Sequence, residues 1–248
     1  MNICLFTPEE ISMPLNLQDE RAQHIIKILH KKEGETFTAG IIGGKAGNAT
    51  ITSITDSICF TFEPLSDGKP LNNLKMIIGF PRPIQLKRLL RDIAALGVCE
   101  VHLTGTELGE KSYLQSTLVE KGNAYKMLLD GTVQAGSTHV PELFIHKNLR
   151  ECLNQLDEKE PALKLALDNI NPACSLKNAI KNKIENIGSD DLDVVAAIGS
   201  ERGWTDNERQ LMENHGYIRC GMGERIMRTE TAATVAGSII LNEMGVLC

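Results

Sequence analysis

Two glycine-containing loops in the last fifth of the chain carry the residues best suited to chemistry. The first runs from Gly199 to Gly203 and reads Gly-Ser-Glu-Arg-Gly; the second runs from Gly221 to Arg228 and reads Gly-Met-Gly-Glu-Arg-Ile-Met-Arg. Glycine lets backbone N–H and C=O groups approach a ligand closely, and a helix start offers N–H donors without helical partners. Loops of this kind indicate a site that recognises a ligand by its shape and by backbone hydrogen bonds to the polar atoms at its edges.

Both loops lie in a region that alternates strands and helices. Segments rich in apolar residues predict strands over 74–79, 98–103, 163–167 and 193–198, and helical spacing predicts helices over 84–96, roughly 115–135 and 229–244. Thr205 and Glu208 fit a capping box that starts a helix running to His215, and Thr229 could cap the last helix. The alternation predicts a doubly wound α/β domain over residues 74–248 with a mostly parallel sheet.

Residues 1–70 read differently, as mostly β-structure with one helix. The helix is predicted over Gln18–His30, and strands over 35–39, 49–54 and 57–62. The polar, turn-rich segment 66–73 is the best candidate for a domain boundary.

Composition narrows the class of protein. The seven cysteines include no C-x-x-C pair, which argues against a zinc site and a disulfide framework. The sequence has no apolar run of about 18 residues and no secretory signal, so we expect a cytoplasmic protein without a membrane span. The net charge of −6 means that any nucleic-acid site must be a local basic patch.

The two loops resemble the last two motifs of the SPOUT RNA methyltransferases, and specifically those of the RsmE family, which methylates N3 of a uridine in 16S ribosomal RNA. That family reads roughly I-G-P-E-G-G-(F/L)-(S/T)-x-x-E and L-G-x-R-(I/V)-L-R-T-E-T-A. The second motif matches almost residue for residue, whereas the first departs at Ser200 and Arg202. The resemblance is strong over 192–245 and weaker over 86–98 and 134–142.

The resemblance implies a C-terminal SPOUT domain with a deep trefoil knot, a PUA-like β-barrel domain at residues 1–70 that binds RNA, and a homodimer. It also implies S-adenosylmethionine as cofactor, held by the knot loops, and no metal. The implied cofactor-binding residues are Leu167, Ile198, Gly199, Ser200, Glu201, Gly203, Gly221, Met222, Gly223, Ile226 and Met227.

The same resemblance implies catalytic roles for Arg225 and Arg228, whose guanidinium groups stay charged and can contact phosphate or a developing anion. A solvated or ion-paired loop is the alternative reading of these arginines. Glu201 could either orient its loop or accept a proton.

Basic residues form two candidate strips for RNA binding, for which a plain solvated surface is the competing explanation. The first strip consists of Arg82, Lys87, Arg88 and Arg91, and the second of His24, Lys27, His30 and Lys31. Arg202 in the first loop is a further RNA-binding candidate.

The sequence therefore predicts an S-adenosylmethionine-dependent methyltransferase that acts on a uridine N3 of 16S ribosomal RNA in the 30S subunit. Two alternatives stay open: a SPOUT methyltransferase acting on another RNA such as tRNA, and a catalytically silent factor that binds RNA or assists ribosome assembly.

Overall fold

The computed structural model describes residues 2–114, 116, 122–157, 163–187 and 192–247, and the chain divides into two compact units. The first unit contains the chain up to Leu71 together with Leu129–Val140; the second contains Asn72–Leu128 and the chain from Pro141 onward. The local sequence pattern carries no sign that Leu129–Val140 groups with the first unit.

In the described residues of the first unit, five strands form a sheet in the order β1-β3-β4-β5-β2. The strands are β1 (Cys4–Phe6), β2 (Leu15–Asn16), β3 (Thr36–Ile41), β4 (Ala46–Ile54) and β5 (Ser57–Ser66). β1 pairs with β3 in parallel, and the other pairs are antiparallel. Alternate residues such as Phe37, Ala39 and Ile51 are buried in a core that also contains Ile25. This alternation is why the strand predictions succeed here.

The helix predicted over Gln18–His30 is shorter and changes geometry part-way. Helix α1 spans Glu20–Gln23 and is followed by a π-helical turn over His24–Ile28. The Leu29 N–H donates to the His24 carbonyl five residues earlier, at 3.0 Å. A π-turn holds one residue more than an α-turn, and hydrophobic spacing does not reveal it.

In the described residues of the second unit, seven strands form a sheet in the order β10-β12-β9-β11-β6-β7-β8, with every pairing parallel. The strands are β6 (Asn72–Gly79), β7 (Val98–Thr104), β8 (Glu142–His146), β9 (Leu163–Leu167), β10 (Cys174–Ser175), β11 (Val194–Ile198) and β12 (Ile218–Gly221). All five residues of β11 are buried, as expected for a strand inside a parallel sheet. The predicted parallel α/β architecture is confirmed.

Helices lie between these strands in the chain and after the last of them. They are α2 (Pro83–Ala95), α3 (Lys111–Leu114), α4 (Asn123–Ala135), α5 (Leu149–Asp157), α6 (Leu176–Ile187), α7 (Asp206–Asn214) and α8 (Thr229–Glu243). Positions 115 and 117–121 of the helix predicted over 115–135 lie outside the described residues. In the described chain, no helix has both the length and the apolar content needed to cross a membrane.

Two local features confirm and refine the helix predictions. The capping box of α7 is present: the Thr205 side chain accepts a hydrogen bond from the Glu208 N–H, and the Glu208 carboxylate accepts one from the Thr205 N–H. Helix α8 approaches Leu96 closely, because a Cβ added at Gly237 would lie 3.2 Å from the Leu96 Cδ1. A methyl group at Gly237 would therefore require the Leu96 side chain to move by a few tenths of an ångström.

Candidate active site

A cavity of about 350 Å³ opens at the carboxyl ends of β9, β11 and β12. These strands are neighbours in the sheet, in the order β12-β9-β11. Its walls are the loops that follow them, together with Arg209 from α7 and Thr229 and Ala232 from α8. Open α/β sheets bind their ligands at the carboxyl ends of parallel strands, so this is where a ligand is expected.

The cavity gathers residues from both glycine-containing loops. The predicted cofactor-binding residues that line it are Leu167, Ile198, Gly199, Ser200, Glu201, Gly203, Met222, Gly223, Ile226 and Met227. Gly221 is the exception within the described chain: it is buried at the end of β12, and a Cβ there would lie 3.1 Å from Pro172. The structure therefore gives Gly221 a packing role beside the cavity.

The arginines of the loops occupy different positions. Arg202 and Arg225 are exposed and form part of the cavity wall. Arg228 is exposed at the N-cap of α8, and in the described structure it does not line the cavity. Its side chain lies outside the wall, on a residue adjacent to the lining residues Met227 and Thr229.

The prediction that Thr229 caps α8 is wrong. The N-cap residue is Arg228, which makes no side-chain capping bond, while Thr229 is buried. The Thr229 hydroxyl donates instead to the Gly199 carbonyl at 3.1 Å. Because it points into the cavity wall, Thr229 ties the second loop to the first.

The first loop also lies against Gly79, a residue that the sequence analysis missed. A Cβ at Gly79 would be 2.5 Å from the Ser200 backbone nitrogen and 2.8 Å from the Thr106 side chain. The Thr106 hydroxyl donates to the Ser200 hydroxyl at 2.9 Å. The end of β6 thus holds the first loop in position, and only glycine leaves room for it.

A buried ion pair fixes the loop after β9. Arg209 Nε donates to Asp168 Oδ2 at 2.6 Å, and the two side chains are only 9% and 4% exposed. The other Asp168 oxygen accepts the Ile170 N–H at 3.0 Å. The bond to Asp168 raises the pKa of the Arg209 guanidinium above its already high ordinary value. The partners are 41 residues apart, so no local sequence signal connects them.

We expect Asp168→Asn to lower the free energy of unfolding by roughly 3 kcal/mol, because it leaves the mostly buried Arg209 guanidinium without its buried charged partner. The matched control is Asp206→Asn. Asp206 bonds the same guanidinium at 2.8 Å, but its side chain is 98% exposed. Asp206→Asn should lower the free energy of unfolding by less than about 1 kcal/mol. Urea denaturation measures both changes, and equal losses would contradict a special role for Asp168.

Trp204 forms part of the inner wall of the cavity. It is 2% exposed, and its indole Nε1 donates to the Leu167 carbonyl at 3.3 Å. Because it is the single tryptophan of the sequence, its fluorescence reports on this cavity alone.

The basic residues of α2 begin at the rim of the cavity. Arg82, at the N-cap of α2, lies 3.3 Å from a Glu201 carboxylate oxygen through its Nε. The further candidates Lys87, Arg88 and Arg91 are exposed along α2, whose other face buries leucines and Ile93.

The histidine strip belongs to the first unit. His24 is half-buried and Lys27 is exposed on the π-turn, and His30 follows it with a left-handed φ of 52°.

Comparison with known proteins decides the class. A family model described as an RNA methyltransferase domain matches residues 68–241. The chain is 40% identical to the ribosomal RNA small subunit methyltransferase E of Treponema pallidum (strain Nichols), over 97% of this chain and 91% of that protein. The chain belongs to the ribosomal RNA small subunit methyltransferase E family.

Other relatives agree with this assignment. The methyltransferase E 1 of Borreliella burgdorferi (strain ATCC 35210 / DSM 4680 / CIP 102532 / B31) is 33% identical over 97% of both chains. The crystal structure of a methyltransferase E from Neisseria gonorrhoeae, bound to S-adenosyl methionine, has a TM-score of 0.75 at 23% identity and covers 98% of this chain and 97% of its own. The likeness shows that this chain has the same fold as that crystal structure.

Proposed function

We propose that this methyltransferase transfers the methyl group of S-adenosylmethionine to N3 of a uridine in 16S ribosomal RNA, with the cavity at the ends of β9, β11 and β12 as the donor site. The cavity itself carries the proposal. Its volume of about 350 Å³ lies within the range of roughly 300–1,000 Å³ that is usual for sites of small organic ligands.

The residues present fit the proposed donor. Leu167, Ile198 and Trp204 offer apolar surface to a planar base, and the glycines of the two loops bring backbone groups within reach of polar edges. The charged residues Glu201, Arg202 and Arg225 are at the exposed part of the wall. The buried Asp168–Arg209 ion pair also lines the cavity. A largely apolar wall with a small number of fixed polar groups is typical of cofactor sites.

In the proposed reaction, the uridine N3 attacks the sulfonium methyl in line, the methyl–sulfur bond breaks, and the N3 proton is removed. General-base help is worth about 10²–10⁴ in rate. Arg225 and Arg228 would stabilise the negative charge that develops on the base as this proton departs. Glu201, ion-paired to Arg82 at the rim, either orients the first loop or accepts the proton.

A trefoil knot is part of the proposal. β12 lies on the far side of β9 from β11, yet α8, which follows β12, packs against α2, β6 and β11. The chain must therefore return across the strand ends, as a threaded C-terminal segment would. We also propose that the first unit is a PUA-like barrel that binds RNA through His24, Lys27 and His30.

The proposed assembly is a homodimer. Large apolar side chains are left exposed in the second unit, among them Ile84 at 67% and Ile226 at 83%. Sedimentation equilibrium should give twice the chain mass of 27.2 kDa at micromolar concentration, and a monomer would contradict the proposal.

Arg202 stands where the family usually has glycine, and Arg202→Gly tests whether it acts on RNA or on the donor. If it contacts phosphate, the variant should bind RNA more weakly and with a smaller salt dependence, because one counterion-releasing contact is lost. If it narrows the cavity, the variant should bind the donor more tightly. If the dissociation constants for RNA and for the donor both change by less than twofold, Arg202 is a surface residue that contacts neither ligand.

A methyl-transfer assay tests the proposed function against its alternatives. Purified chain is incubated with methyl-labelled S-adenosylmethionine and either 30S subunits that lack the modification or bulk tRNA. The proposal expects label in 16S ribosomal RNA as 3-methyluridine. Label in tRNA alone would favour the alternative substrate. No label, with no change of Trp204 fluorescence on adding S-adenosylhomocysteine, would favour a silent RNA-binding factor.

A further inference from the structure

A buried cluster of metal-binding side chains lies in the second unit and takes no part in the proposed reaction. It consists of His102 on β7, His146 at the end of β8 and Cys152 on α5, which are 0%, 2% and 0% exposed. None of the three lines the cavity described above, within the described structure. One nitrogen from each imidazole and the Cys152 sulfur all lie within 4.8 Å of one another.

The hydrogen bonds of His102 fix which nitrogen faces the cluster. His102 Nε2 lies 3.0 Å from a Glu100 carboxylate oxygen, and this contact places the ring proton on Nε2 because a carboxylate accepts. The lone pair of His102 Nδ1 then points to His146 Nε2, 3.0 Å away. Metal-binding histidines almost always donate their second N–H to a carboxylate or carbonyl in this way.

The spacing is close to that of a zinc site. Nitrogens at about 2.05 Å from a tetrahedral zinc lie about 3.3 Å apart, and a nitrogen and a sulfur about 3.5 Å apart. The 3.0 Å between the imidazole nitrogens is therefore about 0.3 Å short. The two ring planes are nearly parallel, at 12°, so each ring must turn about its Cβ–Cγ bond to point a nitrogen at a shared ion. Because the three ligand atoms lie within 4.8 Å of one another, the Cys152 sulfur must approach by up to about 1.3 Å, which a side-chain rotation can supply.

From this geometry, and contrary to the expectation of no metal drawn from the sequence, we propose that His102, His146 and Cys152 form a zinc site, with Glu100 as the carboxylate that orients His102. Two imidazoles and one thiolate suit a borderline cation such as Zn²⁺, and the fourth tetrahedral position is filled by water. On binding, the Cys152 thiol releases its proton to solvent, and the proton of His146 moves from Nε2 to Nδ1. The site joins β7, β8 and α5, so its effect is on the stability of this part of the fold.

Metal titration of the full chain tests this proposal. Co²⁺ serves as the spectroscopic probe, and Zn²⁺ is added in competition with a chromophoric chelator. The proposal expects one equivalent of Co²⁺ with a sulfur-to-cobalt charge-transfer band, displaced by Zn²⁺, and a rise in melting temperature. Cys152→Ser should abolish the band, and Glu100→Gln should weaken Zn²⁺ affinity by about 10–100-fold. The matched control, Cys99→Ser, removes a partly buried cysteine of β7 and should change neither.

Three outcomes would overturn the proposal: no stoichiometric binding, equal binding by Cys152→Ser, or loss of binding in Cys99→Ser. In each case the cluster would be a hydrogen-bonded pair of histidines that binds no metal. Should Cys152→Ser fail to fold, X-ray absorption of the zinc-loaded wild-type chain decides the question. It must show one sulfur ligand and three nitrogen or oxygen ligands, namely the two imidazoles and the water, and a shell with any other sulfur count contradicts the site. None of these readouts depends on methyl transfer.

Discussion

Gly79→Ala should weaken donor binding by more than tenfold. Its Cβ would lie 2.5 Å from the Ser200 backbone nitrogen and 3.0 Å from the Gly199 carbonyl carbon, and backbone cannot move aside as a flexible side chain can. The first loop must shift, and Gly199 and Ser200 both line the cavity. Overpacking of this kind costs about 1–3 kcal/mol, so the melting temperature should fall by several degrees. Trp204 fluorescence, titrated with S-adenosylhomocysteine, measures the affinity.

Gly44→Ala is the matched control for this substitution. A Cβ at Gly44 meets nothing nearer than Ile41 at 3.5 Å, and Gly44 is remote in sequence from the cavity loops. The control should keep wild-type donor affinity. A Gly79→Ala chain whose affinity stays within twofold of wild type would show that the first loop does not hold the donor.

Arg228→Ala should lower methyl transfer by about 10²-fold while leaving stability almost unchanged. Arg228 is exposed, makes no capping bond, and has no ion pair among the described residues. Removing such a surface residue usually changes stability by no more than about 0.5 kcal/mol. Removing a charged group that acts on the transition state costs about 10²–10³ in rate. Single-turnover methylation of 30S subunits and the melting temperature are measured on the same variant.

The exposed Arg150 on α5 provides the control, since Arg150→Ala removes the same charge from a surface away from the cavity. It should retain wild-type methylation. An Arg228→Ala chain with a large fall in melting temperature and a proportionate loss of activity would make Arg228 a structural residue.

Local signals in the sequence account for the parts of the fold that were predicted correctly. The capping box at Thr205 and Glu208 spans four consecutive residues, β11 is a continuous apolar run, and β9 is apolar except for Lys164. Where the local pattern was ambiguous, prediction failed. The two-residue β10 is too short to show a period, and the π-turn after Gln23 has the same apolar spacing as a helix end.

The candidate site was predicted from its loops but not from what supports them. The sequence predicted the four loop glycines and their neighbours as site residues because the residues of each loop are consecutive in the chain. The residues that hold those loops come from elsewhere: Gly79 ends β6, Thr106 follows β7, and Arg209 reaches Asp168 across 41 residues. The buried pair of His102 and His146 is separated by 44 residues. Such contacts are set by the order of strands in the sheet, which no local pattern encodes.

The most direct test of the proposed function is nucleoside mass spectrometry of 16S ribosomal RNA from a strain that lacks this gene. The strain is complemented with wild-type chain or with Gly79→Ala at equal protein level. We predict that 3-methyluridine is absent from the deleted strain, is restored by wild-type chain, and is restored poorly by Gly79→Ala. Unchanged 3-methyluridine in the deleted strain would contradict the account.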